Sequence, residues 1–334
     1  MKKHLIGATL LAGVLLGTSA TASAEVKEIA VAREYGISYL PLMVMQDQNL
    51  LEKQAATRGI KDLKVSWIKF AGGNVMNEAL LSGSLQFASG GVAPMVIAWA
   101  RTRNNYGIKG VAALNAMPLY LNTSDPNVKT IKDFTSKDKI ALPAVKVSIQ
   151  AVTLEMAAEQ AFGPGQEHKL DALTVSMSHP DAMAALASGA VTAHFGAPPF
   201  QYQELKMPGV HTVLDSYTVL GGPASFNLVW TTSKFYRENP KIYAAFVAAL
   251  DQAIGDINHD KKWAAGLYLK MTNDKKDKVD DILKMLQDPQ VVYTTTPEHV
   301  MKYVRFMRKV GTIKTVPKSW KDLFFPNVDN LPGS

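Results

Sequence analysis

Apolar and polar positions switch repeatedly along this chain between the two-residue period of a strand and the longer period of a helix. Residues 63–70 alternate, with Leu63, Val65 and Trp67 on one face, and this pattern predicts a strand. Residues 39–48 instead have helical spacing. The complete set of predicted strands is 28–32, 63–70, 85–88, 109–114, 140–142, 172–177 and 191–195, and the predicted helices are 39–48, 74–81, 92–101, 148–162, 181–188, 239–258, 260–271, 276–287 and 297–310. Such alternation up to about residue 195 predicts βαβ units and mostly parallel sheets.

An internal repeat indicates that the fold has two similar halves. Segment 76–91 aligns with segment 182–197 at a constant offset of 106 residues, and Ser82-Gly83 then coincides with Ser188-Gly189. Each copy combines a helix, a Ser-Gly turn, a strand and a glycine-containing turn. The sequence therefore predicts two α/β lobes: residues 25–116 form the first part of lobe one, 117–230 form lobe two, and 231–334 return to lobe one with the C-terminal helices.

Two facing α/β lobes would enclose a ligand cleft. Ligands of open α/β sheets bind outside the carboxyl ends of the strands, where helix N-termini favour anions. The predicted loops at these ends, 71–74, 89–92, 147–149 and 195–199, are small and largely uncharged. Small residues allow a ligand to approach the backbone closely.

The first 24 residues have the order of a secretory signal peptide. Lys2 and Lys3 precede an uncharged run over 5–17, and Ala22-Ser23-Ala24 supplies a cleavage site before Glu25. The apolar run is shorter than the roughly 20 residues that span a bilayer. An N-terminal anchor or a buried helix is the alternative. We expect an exported protein in the bacterial periplasm.

Composition and charge narrow the possible functions. The 334 residues are 47% hydrophobic and 19% charged, which is typical of a folded protein. The net charge of +7 is spread without long runs of one sign, so nucleic-acid binding is not expected. The absence of cysteine excludes disulfides, thiolate metal sites and cysteine nucleophiles. Seven scattered histidines show no metal-ligand spacing and the common catalytic motifs are missing, so we expect no metal, cofactor or enzymatic activity.

Four segments resemble a known family in their order along the chain. The segments 38–52, 70–74, 80–94 and 131–134 are similar to periplasmic substrate-binding proteins of ABC importers, within the nitrate/sulfonate/taurine (NMT1/THI5-like) group. The resemblance implies a bilobal type II periplasmic-binding-protein fold with two hinge crossings, near 115–119 and 221–230. It also implies capture of a small anionic organic ligand and its delivery to an ABC permease in the inner membrane, by a protein expected to act as a monomer.

Candidate ligand-binding residues come partly from this resemblance and partly from position. The resemblance assigns Tyr39, the loop 89–92 and Ser148 to the ligand. Arg33, at the end of the first strand, could bind a carboxylate or sulfonate, or could pair with a nearby acid. The full set of candidates is Arg33, Tyr39, Gly73, Asn74, Ser89, Gly90, Gly91, Val147, Ser148, His194, Phe195 and Pro198.

Several of these candidates have a structural alternative. A serine at a helix start can be a simple N-cap, a histidine at a strand end can be a buried structural group, and an aromatic ring can pack in the core. Our hypothesis is that Ser148 and its helix N-terminus hold the anion while Tyr39 and Phe195 flank its body, with Lys146 as a competing point charge.

The ligand is expected to have an anionic end and an apolar or aromatic body. The loop 196–200 lacks the acid that taurine-type relatives use for an amine, so an amine is not expected. The alternatives are a pyrimidine, a flavin or another aromatic nutrient, a pyrimidine-synthesis-like enzyme on the same fold, or a sensor module.

Overall fold

Residues 24–334, which the computed structural model describes, form two α/β lobes. The predicted signal peptide therefore lies, apart from Ala24, outside the described residues. The strands are β1 (Glu28–Arg33), β2 (Lys64–Lys69), β3 (Ala88–Gly91), β4 (Lys109–Ala113), β5 (Tyr120–Thr123), β6 (Ile140–Leu142), β7 (Thr174–Ser176), β8 (Ala193–Phe195), β9 (His211–Asp215) and β10 (Asn227–Thr231). The helices are α1 (Leu40–Gln48), α2 (Leu50–Thr57), α3 (Gly73–Ser82), α4 (Val92–Thr102), α5 (Ile149–Phe162), α6 (His179–Ser188), α7 (Phe200–Glu204), α8 (Ser216–Leu220), α9 (Ser233–Glu238), α10 (Pro240–His259), α11 (Lys261–Thr272), α12 (Val279–Gln287) and α13 (Val300–Lys309).

The two lobes are built on sheets of the same strand order. In lobe one, β1 pairs with β2, a bridge between Val31 and Phe87 leads to β3, and β10 lies between β3 and β4. Lobe two has the order β7-β6-β8-β5-β9. The fourth strand in this order, β10 in lobe one and β5 in lobe two, runs antiparallel to its neighbours. Each of these two strands is the first strand after the chain crosses from the other lobe. Residues 227–230, which the sequence boundary assigned to lobe two, pair with the strands of lobe one.

The internal repeat has a local structural counterpart. Helices α3 and α6 both end at a serine followed by a glycine at positive φ, 81° for Gly83 and 75° for Gly189. The serine hydroxyl donates to a backbone carbonyl three residues earlier in both helices, from Ser82 at 2.9 Å and from Ser188 at 3.1 Å. Glycine adopts this left-handed conformation without a Cβ penalty, which is why the Ser-Gly pair recurs.

The two crossings run side by side as a short hinge. Ala116 in the first crossing forms an antiparallel bridge with Ser225 in the second. The amide of Asn115 donates to the Ser38 carbonyl at 2.6 Å, and its oxygen accepts from the Asn227 backbone at 3.3 Å. Asn115 thus ties both crossings to the first turn after β1.

The structure differs from the predicted elements at several strands. The sequence pattern missed β5, β9 and β10, and it predicted a strand at 85–88 where β3 occupies 88–91. Residues 89–91 were expected to form a loop, but β10 pairs with them and satisfies their backbone groups.

The C-terminal helices complete the core of lobe one. Helix α10 packs on α1 and α2, and the rings of Phe87 and Phe246 stack with their centroids 3.9 Å apart. The carboxylate of Glu25 accepts from the backbone of Lys241 and Ile242 at 2.8 Å each, so the first described residues cap α10. Within residues 24–334, no helix combines the length and the apolar character needed to cross a bilayer.

Candidate functional site

A cavity of about 270 Å³ lies between the lobes, beyond the carboxyl end of β1. Its walls come from three parts of the chain: the turn after β1 with neighbouring residues of lobe one, helices α6 and α7 of lobe two, and α11 with the loop that follows it. The lining residues are Arg33, Tyr35, Gly36, Met43 and Lys69 of lobe one, Pro180, Met183, Phe200 and Gln203 of lobe two, and Tyr268, Thr272, Asp274 and Lys276. The cavity therefore has the position expected for the ligand cleft.

Arg33 is the most informative residue of this cavity. It is the last residue of β1 and only 4% of it is exposed. Its Nε has no hydrogen-bond partner among the described residues, and its Nη1 makes only a 3.5 Å contact with the carbonyl of Glu34. Burial lowers the pKa of the guanidinium, while the neighbouring Tyr268, Tyr35 and Tyr39 act in the opposite direction. Because buried charges are normally paired, this geometry calls for an anion.

The formal charges at the cavity wall also favour an anion. Arg33, Lys69 and Lys276 line it against one carboxylate, Asp274. The pKa of Lys69 is lowered, first by partial burial and then by the charge of Arg33. An anion near Arg33 and Lys69 would relieve the repulsion between the two cations.

A carboxyl group that the sequence analysis did not propose as a ligand residue lies buried beside the cavity. Glu34 follows Arg33, and burial raises its pKa to about 8, partly offset by a contact with the Tyr39 hydroxyl. At neutral pH this side chain is therefore mostly uncharged, and its carboxyl group is able to donate a hydrogen bond. A neutral Glu34 offers no counterion to an amine, which agrees with the ligand expected from the sequence.

Further polar atoms near Tyr39 are left without partners in the described chain. Ser38 Oγ and both side-chain amide atoms of Asn227 are buried and make no hydrogen bond. Tyr39 itself is buried next to Glu34 and Asn227, and burial raises the pKa of its hydroxyl. Such orphaned groups are rare in folded proteins and mark places where a ligand or water completes the bonding.

The predicted glycines allow close packing at the base of the cleft. A Cβ on Gly90 would lie 3.2 Å from both Glu34 Oε1 and the Trp230 ring. A Cβ on Gly91 would lie 2.7 Å from Ile149, the first residue of α5 in lobe two. The lobes are thus in direct contact at Gly91. Gly73 begins α3 against Trp230 and Pro94, and Asn74 is the second residue of that helix.

The predicted serines serve the backbone in this structure. Ser148 is the N-cap of α5, and its hydroxyl accepts from the Ala151 N–H at 3.2 Å. The Ser89 hydroxyl donates to the Ala32 carbonyl at 2.5 Å and joins β3 to β1. Val147 lies in a separate groove with residues of α3 and α4. None of these three residues lines the Arg33 cavity. The anion-binding group in the cavity wall is therefore the Arg33 guanidinium and not the N-terminus of α5 that the sequence analysis expected.

His194 belongs to a buried chain of hydrogen bonds in lobe two. Its Nδ1 donates to the Glu204 carboxylate, and its Nε2 lies 2.9 Å from His179 Nδ1. His179 Nε2 is in turn 3.4 Å from the Gln150 amide nitrogen. One arrangement satisfies every member: each histidine donates through Nδ1, and the Gln150 amide donates to His179. Burial, followed by the neighbouring His194, lowers the pKa of His179 and favours its neutral form.

Phe195 lies in the hydrophobic core, whereas Pro198 lies where the two lobes meet. Phe195 is fully buried, and its ring is not part of the cavity wall. Successive residues of a strand point to opposite faces, so the residue beside His194 faces away from the buried histidines. The Pro198 carbonyl accepts from the Ile37 N–H at 3.1 Å. It also lies so close to Gly36 that a Cβ added there would be only 2.6 Å from the carbonyl oxygen. Pro198 therefore forms an interlobe contact.

Several residues in and beside the cavity were not proposed from the sequence. Tyr35 and Gly36 line it and Glu34 lies beside it, and all three come just after the first predicted strand. The rule that ligands bind at carboxyl ends could have identified them. Tyr268, on α11, carries no such signal, because only the packing of α11 on α1 brings it to the cleft.

Comparisons with known proteins agree with this architecture. A family model described as the NMT1-like family matches residues 22–265. No curated protein matches the sequence.

Three solved structures of binding proteins share the fold. The alkanesulfonate-binding protein of Xanthomonas axonopodis pv. citri, bound to MOPS, has a TM-score of 0.67 at 18% identity, with 89% of this chain and 96% of that chain covered. The periplasmic aliphatic sulphonate-binding protein of Escherichia coli has a TM-score of 0.65 at 19% identity, with coverages of 90% and 92%. The periplasmic nitrate-binding protein of Synechocystis PCC 6803 has a TM-score of 0.68 at 14% identity, with coverages of 89% and 84%.

The family match spans more than half of the chain, and the structural matches extend over nearly all of it. The predicted bilobal fold and the predicted family are both confirmed. This chain belongs to the NMT1-like family and has the periplasmic-binding-protein fold.

Proposed function

We propose that this chain is the solute-binding component of an ABC importer and captures a small organic anion of the sulfonate or carboxylate type. The observation that carries the proposal is Arg33, a buried guanidinium without a carboxylate partner among residues 24–334, at the wall of a cavity between two lobes. A bidentate contact between a guanidinium and an oxyanion is the strongest way to satisfy such a group. The names of the sulfonate-binding structural neighbours agree with this chemistry.

The cavity favours an organic anion over a small inorganic one. Its volume of about 270 Å³ is far larger than nitrate requires. Met43, Met183 and Phe200 contribute apolar surface to its wall. We therefore assign the anionic group of the ligand to Arg33 and Lys69, and its body to this apolar surface.

The biological setting of the proposal follows from the family and the N-terminus. The chain would be exported by its predicted signal peptide, act in the periplasm as a monomer without a cofactor, and deliver its ligand to a membrane permease. Mass spectrometry of the periplasmic fraction should find a mature chain that begins at Glu25. Recovery of Met1 on a membrane-bound product would contradict this part of the proposal.

A ligand screen tests the function itself. Thermal unfolding is measured with alkanesulfonates, aromatic sulfonates, aliphatic and aromatic carboxylates, nitrate, a pyrimidine and a flavin. A ligand at 100 times its dissociation constant stabilises the folded protein by about 2.7 kcal/mol, a clear shift in melting temperature. We expect organic anions to give this shift, and the recovered ligand to keep its mass. A shift with only the pyrimidine or flavin would contradict the assigned ligand class, and a changed ligand mass would indicate an enzyme.

A further inference from the structure

A second group of ligand-forming side chains lies in lobe two, apart from the cavity. Glu155 is on α5, and His168 and Asp171 are on the segment that follows this helix. His168 Nδ1 lies 3.0 Å from Asp171 Oδ2 and 3.8 Å from Glu155 Oε1. One ligand atom from each residue falls within 4.8 Å of the other two.

The carboxylate of Glu155 provides an independent sign that this group lacks a ligand. Only 3% of Glu155 is exposed, and its Oε2 has no hydrogen-bond partner in the described chain. Two further acidic side chains, Asp171 and Glu167, lie close enough to act on it electrostatically, and so does one cation, Lys146. A metal ion would be stabilised beside this buried and incompletely bonded carboxyl group.

We propose that Glu155, His168 and Asp171 form a binding site for one divalent transition-metal ion of the Zn²⁺ type. Zn²⁺ binds both imidazole nitrogen and carboxylate oxygen, whereas Mg²⁺ and Ca²⁺ prefer oxygen ligands alone. Zinc bonds of about 2.0–2.2 Å at tetrahedral angles separate neighbouring ligand atoms by about 3.4 Å. The observed separations of 3.0 and 3.8 Å lie on either side of this value, so small side-chain rotations close the site.

Zinc binding through His168 Nδ1 requires the imidazole tautomer that carries its hydrogen on Nε2. Three protein ligands leave the fourth tetrahedral position of the ion for water.

No sequence motif indicates this site, because twelve residues lie between Glu155 and His168 and no common metal motif has this spacing. The reversal at Gly163 brings the following segment back along α5 and creates the cluster. The site joins α5 to that segment and is separate from the cleft.

Calorimetric titration of tag-free protein with Zn²⁺ alone tests the proposal. We expect one site per chain, with weaker binding of Mg²⁺ and Ca²⁺. Glu155→Gln and His168→Ala should each weaken Zn²⁺ binding at least tenfold, whereas His259→Ala, which removes an exposed histidine on α10, should leave it unchanged.

Glu155→Gln is also a safe variant for folding, since it replaces an incompletely bonded carboxyl by a neutral group of the same shape. Its unfolding transition, measured alongside, should remain cooperative and should no longer shift with Zn²⁺. Equal Zn²⁺ affinity in the wild type and Glu155→Gln, or absence of binding at one equivalent in the wild type, would overturn the site.

Discussion

Replacing Arg33 by methionine should change stability and ligand binding in opposite directions. Among residues 24–334, the buried guanidinium has no hydrogen-bond partner for its Nε, and its Nη1 makes only a long 3.5 Å contact with the Glu34 carbonyl. An apolar side chain of similar length removes this uncompensated charge and keeps the packing. Replacing buried ionic groups by well-packed apolar residues is often neutral or stabilising by about 1–4 kcal/mol. We therefore expect Arg33→Met to unfold at the wild-type temperature or above it.

Ligand affinity should fall sharply in the same variant. Each hydrogen bond to a charged group contributes about 1.5–3 kcal/mol, and a bidentate guanidinium contact provides two. A loss of roughly 3–6 kcal/mol corresponds to about a hundredfold to ten-thousandfold weaker binding. Arg33→Lys keeps the charge but loses the fork of donors, so its affinity should lie between those of the wild type and Arg33→Met.

Calorimetry with the anion found by the screen, together with urea unfolding of the ligand-free proteins, measures both effects. Arg305→Met, which removes an exposed arginine on α13, serves as the control and should alter neither quantity much. An Arg33→Met protein that is strongly destabilised but binds the anion normally would refute the reasoning. The arginine would then support the fold, and the anion would bind elsewhere, as at the α5 N-terminus.

Three further predictions follow from the cleft and its surroundings. Gly91→Ala should weaken ligand binding at least tenfold, because the added Cβ would lie 2.7 Å from Ile149 in the facing lobe. X-ray scattering of the ligand-bound variant should also show a larger radius of gyration than the ligand-bound wild type. The control Gly266→Ala, at a helical position with open space around it, should instead stabilise the folded protein by about 0.5–1 kcal/mol. The pKa of Glu34 is raised to about 8 in the folded protein, so between roughly pH 4.5 and 8 the folded state keeps a proton that the unfolded state loses. As the pH rises through this range, the free energy of unfolding should therefore fall by up to about 1.4 kcal/mol per pH unit. Glu34→Gln should remove this pH dependence, which is measured by urea unfolding from pH 5 to 9. If the variant shows the same dependence of unfolding free energy on pH as the wild type, Glu34 is not protonated in the folded state. His194→Ala should lower the unfolding free energy by about 3–5 kcal/mol, because it leaves the buried Glu204 carboxylate without its His194 partner. Ligand affinity should stay unchanged, since the His194 side chain is not in the cavity wall. A loss of affinity without a loss of stability would instead assign His194 to the ligand.

Elements that alternate regularly could be predicted from the sequence, but the strands joining the lobes could not. Strands such as β1 and β2 each precede a helix, so the change of period along the chain marks them. Strand β5 follows another strand after the first crossing, and β10 follows the second crossing, so neither belongs to a βαβ unit. Their pairing partners are distant in sequence, and only the complete sheet shows that a strand must lie there.

The candidate site shows the same division between local and distant information. Arg33 was identified because a charged residue at the end of a buried strand is a local signal. The buried environment of Glu34 depends on Gly90, Tyr39 and Trp230, which come from separate segments. For β8, the alternation of His194 and Phe195 could be predicted, but not which of the two side chains faces the cleft. The Phe195 ring lies in the core and not in the cavity wall.

The shared architecture of the lobes separates the frame of the cleft from its chemistry. Both lobes use the same strand order and the same Ser-Gly helix end, which are requirements of folding. The carboxyl ends of corresponding strands differ: β1 ends at Arg33 and is followed by Glu34, whereas β6 ends at Leu142 and is followed by Pro143. In the binding mode proposed above, the charged contacts of the ligand therefore come from lobe one, and two of its three apolar contacts, Met183 and Phe200, come from lobe two. We expect an anion that enters the open cleft to bind first to lobe one through its charge. Closure of lobe two would then add apolar surface and exclude water, which would strengthen the ion contact already made.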